Sequence, residues 1–223
     1  MTVATRPSIE FETPTDYRDE IRARVDRVRW LIIPDRRYFA IDGTDAPGGP
    51  GFRDAIATLY PVAYTTHFAL KRRGIDAPVG ALQGLFWLGG QTATDELAPA
   101  PPPAPGGWRW RLLLPVPDEA SPDEIEAAIA NVRGKKTPPR IDDLRILPWG
   151  EGTVAQIMHV GPYVDEPTTI ARLHAAVVEA GLRLRGIHHE IYIGDPSRTA
   201  PQRLKTLLRQ GVGSGSLETP QGA

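Results

Sequence analysis

The run His188-His189-Glu190-Ile191-Tyr192 puts two imidazoles, a carboxylate and a phenol within five residues. Ile187 and Ile193 flank it and Gly194-Asp195-Pro196 closes it, so it reads as a strand ended by a tight turn. Side chains alternate along a strand, which places His188, Glu190 and Tyr192 on one face and Ile187, His189, Ile191 and Ile193 on the other. A glutamate walled in by apolar neighbours has its charged form disfavoured, so its pKa rises towards that of a general base. Kept ionised, the same group pairs with a cationic ligand, and nearby rings add cation–π attraction. A phenol beside it would donate to an oxygen that gains charge during reaction. A polar-out exposed sheet face fits the same alternation.

Metal chemistry is the competing reading, through His159, His174, His188 and His189. Adjacent strand residues point to opposite faces, so His188 and His189 are not expected to share an ion. The chain has no cysteine, which removes thiolate ligands, thiol catalysis and disulfides together. Neither a metal nor any other cofactor is expected.

Rings to enclose Glu190 must come from other elements. Phe52 to Arg73 carries apolar residues at helical spacing, and Tyr60, Tyr64 and Phe68 fall four apart along one line of that helix. Pro61 predicts a kink or a fresh start within it. Ala81 to Leu88 reads as a strand with Gln83, Leu85 and Trp87 on one face and Phe86 beside them. Trp108 to Pro115 reads as its partner, with Trp108 and Trp110 sharing a face. The expected catalytic group is Glu190 with Tyr192 or Tyr64 as donor. The expected binding surface is Trp87, Trp110 and Phe86 as a sandwich, with Gln83, Tyr60, Phe68, His188 and Met158 around it.

These segments fall into two similar passes. A strand at 37–42, the long helix and the strands at 81–88 and 108–115 make the first. Runs Leu144–Leu147 and Thr153–Val160, joined by a turn at Gly150-Glu151-Gly152, open the second. A helix from about Pro167 to Ala180 follows, with Asp165 as its cap and Gly181 as its stop, and then the Glu190 strand. Ser121-Pro122-Asp123-Glu124 is a capping box opening a helix between the passes, which Gly134 should end. Thr199 to Gln210 reads as a second capping box and a last helix docked through Leu204, Leu207 and Leu208. Two related halves would meet at a groove, a common place for a small-molecule site.

Residues 1–29 are polar with alternating charges and read as a solvated lead-in, 30–210 as one domain with halves at about 30–120 and 121–210, and 211–223 as a disordered tail. The Pro-rich stretch 99–105 reads as a projecting loop. A net charge of −1 over 223 residues offers no basic surface for nucleic acid. No apolar run spans a bilayer and the N-terminus lacks a signal pattern, so a cytoplasmic location is expected.

Several strings resemble the GyrI-like small-molecule-binding family, in particular its stand-alone bacterial members. They are Phe39-Ala-Ile-Asp-Gly43, Leu59 to Phe68, Gln156-Ile-Met-His-Val-Gly-Pro-Tyr163, His188-His-Glu-Ile-Tyr192 and Asp195-Pro-Ser-Arg-Thr-Ala-Pro201. The resemblance runs from about Trp30 to Gln210. It implies an α+β fold of two fused SHS2 (strand-helix-strand-strand) modules with pseudo-twofold symmetry, an antiparallel sheet backed by helices and a central ligand cleft. It also implies an aromatic pocket for planar, hydrophobic, often cationic ligands, with Glu190 as the buried glutamate. Some stand-alone members hydrolyse the cyclopropane of DNA-alkylating cyclopropanoid compounds, a detoxification. Others only bind drugs, or act on gyrase as protein-interaction modules, and those alternatives stay open. The chain departs from close stand-alone members at Gln83, where they carry Glu, and at Phe86, where they carry Trp. Expected partners are a small-molecule ligand and at most a weak homo-oligomer, with no nucleic acid or membrane.

Overall fold

The computed structural model describes residues 9–88, 107–136 and 138–214. The Pro-rich stretch 99–105 and the tail from 215 lie outside the described residues. The strands are β1 (Arg29–Ile33), β2 (Arg36–Gly43), β3 (Leu82–Leu88), β4 (Trp108–Pro115), β5 (Arg145–Trp149), β6 (Gly152–Val160), β7 (Leu182–Tyr192) and β8 (Lys205–Ser214). The helices are α1 (Tyr17–Glu20), α2 (Pro50–Arg72), α3 (Pro122–Lys136) and α4 (Glu166–Glu179). All eight strands form one antiparallel sheet in the order β1-β6-β8-β7-β3-β4-β2-β5.

That order is symmetric about its centre. One pass, β2-α2-β3-β4, contributes the block β3-β4-β2; the other, β6-α4-β7-β8, contributes β7-β8-β6, and the halves join where β3 pairs with β7. The α+β fold of two related halves therefore stands. The turn at Gly150 does not make a hairpin: β5 pairs with β2, and β6 with β1 and β8. Trp149 and Gly152 are only three Cα steps apart, about 11 Å at full stretch. Six flat strand spacings would separate β5 from β6 by about 29 Å. The sheet therefore curls strongly, bringing its edges together without closing.

The outer, convex face carries the helices. Over one half, α2 covers a core of Phe39, Ile41, Leu59, Trp110 and Leu112; over the other, α4 covers Ile157, Leu173, Val177 and Leu208. The inner face holds Tyr38, Leu85, Leu113 and Ile187. Helix α2 runs unbroken through Pro61, so no fresh start occurs there. Ser121 and Glu124 form the reciprocal capping box, with Ser121 N–H donating to Glu124 Oε2 at 3.0 Å and Glu124 N–H to Ser121 Oγ at 3.3 Å. Gly134 lies inside α3 rather than ending it.

The final segment is not the expected helix. After a single turn at Pro201–Arg203 it becomes β8, a strand buried along almost its whole length between β6 and β7. Residues 211–214, read as tail, belong to that strand. The lead-in is not wholly solvated either: Glu20 is fully buried and Glu12 bridges to β1 at Leu31. None of the described helices is long and apolar enough to cross a membrane.

Candidate functional site

Strand β7 presents its side chains as alternation demands. His189 and Ile191 point inward, while His188, Glu190 and Tyr192 face the helices at the seam between the halves. A bulge sits upstream, where β7 takes four residue steps from Arg185 to His189 against two steps of β8 from Gly211 to Arg209. Gly186, at φ 75°, supplies the left-handed backbone it needs. An even number of extra residues preserves the alternation, so Leu184 and Glu190 stay on the helix side.

Glu190 is 16 % exposed and held from two sides. Tyr192 Oη donates to its Oε2 at 2.7 Å, and His188 Nε2 stands 3.3 Å from its Oε1. Burial pushes its pKa up, but the His188 and Tyr192 contacts outweigh this and leave it below the usual carboxylate value. The sequence-based expectation of a raised Glu190 is thus reversed. Hydrogen bonds to a charged acceptor contribute about 1.5–3 kcal/mol each, enough to overcome partial desolvation.

The raised carboxylate is Glu166, the first residue of α4, which is buried and pushed up to about 7. Burial is the main cause and the negative charge of Glu190 the next. The field of the helix N-terminus acts the other way, by about 0.3–1 kcal/mol, less than one pKa unit. The site therefore holds two interacting carboxyls whose pKa values are pushed apart, Glu190 downward and Glu166 upward. Sequence reading missed Glu166 because a glutamate in a first helical turn looks like a routine partner of the helix dipole.

Tyr163, in the turn before α4, stands edge-on to Tyr192 with ring centroids 5.8 Å apart. From the other half comes Phe86, whose neighbour Gly84 pairs with Glu190. A Cβ at Gly84 would lie 2.6 Å from Phe86 Cε2 and 3.3 Å from Tyr192 Oη, so this glycine gives the ring and the phenol their room. Trp108 meets Phe86 edge-on at 6.3 Å. On α2, Tyr60 packs on the same apolar cluster as Tyr192, and Asp195 raises the pKa of both Tyr60 and Tyr163, so the loop after β7 lies near both.

The other sequence-nominated residues lie elsewhere. Tyr64 and Phe68 continue the α2 line, stacked at 6.1 and 6.4 Å, but are 48 % and 51 % exposed. Trp110 is sealed beneath α2, its indole N–H donating to the Asp45 carbonyl at 2.9 Å. Trp87 is on the inner face beneath Arg111. Met158 shares that face with Gln156, whose amide reaches the Glu20 and Arg22 carbonyls. Gln83 is there too, fully buried, bonded to His189 Nε2 at 3.0 Å and to Tyr17 Oη at 3.2 Å. Gln83 therefore lies on the opposite face from Glu190 and reaches it only through His189. Of the histidines, His159 bonds Thr169 and His189 bonds Glu151, each at 2.9 Å. Among the described residues no group of three His, Cys, Asp or Glu is placed to hold a metal ion.

Residues 116–209 match the family described as the GyrI-like small molecule binding domain. The fold resembles an uncharacterized conserved protein from Listeria innocua, with a TM-score of 0.76 and 28 % identity over 86 % of this chain and 94 % of that one. It also resembles two structures described as a hydrolase from Listeria innocua, each with a TM-score of 0.73 and 26 % identity. These cover 88 % and 92 % of this chain, and 96 % and 100 % of the other. No curated protein matches the sequence. The resemblance to GyrI-like proteins read from the motifs therefore stands.

Proposed function

We propose that the protein binds a flat, aromatic small molecule at the β3–β7 seam, with an electrophilic or cationic centre set over Glu190. The observation that carries this is the paired carboxyls, Glu190 ionised and Glu166 pushed up to about 7, both largely buried beside Phe86 and Tyr163. An ionised carboxylate in such surroundings attracts a cation, and the rings at the seam favour planar apolar bodies.

The pair also supports hydrolysis of a strained ring, the detoxifying chemistry of the cyclopropanoid hydrolases this chain resembles; two of the similar Listeria structures are described as a hydrolase. In this reading Glu190 accepts a proton from water as it attacks the cyclopropyl carbon. Glu166 in its protonated form donates to the conjugated carbonyl oxygen as the ring bond breaks, so the water proton and the carbonyl proton balance. Tyr192 already donates to Glu190, so it orients the base rather than serving as the donor. Two carboxyls whose environments drive their pKa values apart divide base and acid roles in this way.

Tryptophan fluorescence titration with tetraphenylphosphonium tests the binding. Saturable quenching in the wild type and at least tenfold weaker binding in Glu190→Gln are expected. A parallel assay of a duocarmycin-type cyclopropanoid should show turnover that both Glu190→Gln and Glu166→Gln abolish. Quenching without turnover would reduce the function to sequestration, and neither signal would sink the reading.

A further inference from the structure

The carboxyl pair is not isolated from the rest of α4. His188 Nδ1 and Nε2, His174 Nε2, Thr206 Oγ1, Gln210 Oε1 and Glu166 Oε1 are all buried, and they answer one another: Thr206 bears on Glu166, Gln210 on His174 and His188 on Glu190. Six buried polar atoms gathered between one helix and two strands, each bearing on the next, make a continuous polar row through a packed layer. Glu166, Ile170 and His174 follow one another at four-residue spacing along α4, which aligns them over β7 and β8. His188 stands between the two ends: its Nε2 is 3.3 Å from Glu190, and its charge acts on His174 across the α4–β7 gap. His174 itself is half-buried, at the outer end of the row.

We infer that this row is a proton path, running from the Glu190–Glu166 pair through His188 to His174 and out to solvent. A proton taken up at His188 Nε2 is matched by one released from His188 Nδ1, and the imidazole changes tautomer without net charge. His174 repeats the exchange between Nε2 and Nδ1. Thr206 and Gln210 on β8 provide the hydroxyl and amide oxygen that align the donors. The titratable groups facing His188 are Glu190 on its own strand and Glu166 and His174 on α4. Tyr163 and Tyr192 flank the pair, and His189 lies behind the strand on the inner face. Burial lowers the pKa of His174, as does the charge of His188, which favours a neutral ring able to pass a proton onward. His174 here is a positioning and relay residue, since it touches neither a reacting atom nor Glu190. The use of the path rests on the function proposed above, but the path itself does not.

The test uses the full-length, ligand-free protein with 15N-labelled histidine. In the wild type the His188 N–H should exchange with solvent rapidly. His174→Gln should slow that exchange at least tenfold. In His174→Ala, added imidazole should restore the exchange, which a merely structural role would not allow. Unchanged His188 exchange in both variants, with circular dichroism showing them folded, would overturn the path. Tetraphenylphosphonium binding measured on the same samples keeps the two ideas apart, because His174→Gln should leave affinity unchanged within twofold.

Discussion

Glu166 gives the site a pH signature that can be signed in advance. Its folded pKa is raised, to about 7 from 4.5, so the folded state binds its proton more tightly than the unfolded chain does. The stabilisation is complete below about pH 4.5 and is lost as pH rises through 7. The full swing is on the order of 3 kcal/mol, an upper bound because the Glu190 charge and the helix field share in it. Glu166→Gln removes the swing, so its Tm should exceed the wild type's by several degrees at pH 8 and match it at pH 4.5. An equal difference at both pH values would show that the carboxyl is not strained. Glu190 and Tyr192 were legible in the sequence because period-two alternation is local and needs no partner. Glu166 was not, because only the docking of α4 onto β7 brings it to the second carboxyl, some two dozen residues away in the chain.

The elements that frame the site differ in how openly the sequence declares them. The capping box at Ser121 and the stop at Gly181 could be read because each is settled within a few residues. Strand β8 could not. Buried on both faces between β6 and β7, it has no polar-out alternation to betray it, and Leu204, Leu207 and Leu208 mimic a helical stripe. Its Arg209 and Gln210 are polar yet fully buried, which no single-strand pattern anticipates. Trp87 and Trp110 were grouped with Glu190 for lack of the same knowledge: the sheet sends Trp87 to its inner face, and α2 seals Trp110 beneath it on the outer one. The seam itself depends on Gly84. Gly84→Ala would put a methyl group 2.6 Å from the Phe86 ring, so the ring or the strand must shift. Overpacking of this kind costs about 1–3 kcal/mol. Urea unfolding should show a loss in that range, and tetraphenylphosphonium quenching should weaken more than stability alone explains. Unaltered quenching would mean that the ligand does not lie against Phe86.

Across the whole molecule, curling the sheet creates an inner face that must be filled, and it is filled with charge. Glu20 and Arg209 are both fully buried and lie 3.2 Å apart. Glu20 also meets Arg36 at 2.7 Å, Arg209 meets Glu151 at 3.5 Å, and Gln156 accepts from Arg209 Nε at 2.9 Å. Glu151 in turn holds His189, directly behind the strand residue that follows it, Glu190. The lead-in looked solvated because its charges alternate, and only the curled sheet shows that one of them, Glu20, plugs its inside. Two buried ions of opposite sign recover through contact and hydrogen bonds what they lose in hydration, but either alone does not. Glu20→Ala should therefore cost about 3–5 kcal/mol, since it takes from Arg209 and Arg36 their nearest carboxylate and leaves Arg209 only Glu151, at 3.5 Å. The double variant Glu20→Leu with Arg209→Met removes that pair, leaves Arg36 to Asp118 at 3.7 Å, and should recover part of that loss. Urea unfolding of the single and double variants measures the difference. A double variant as unstable as Glu20→Ala would mean that the lead-in holds the fold by packing, with the ion pair incidental. Recovery would instead make the pair a lock between the first twenty residues and the strand beside β7, so that releasing the lead-in would loosen the backing of Glu190 without touching the site itself.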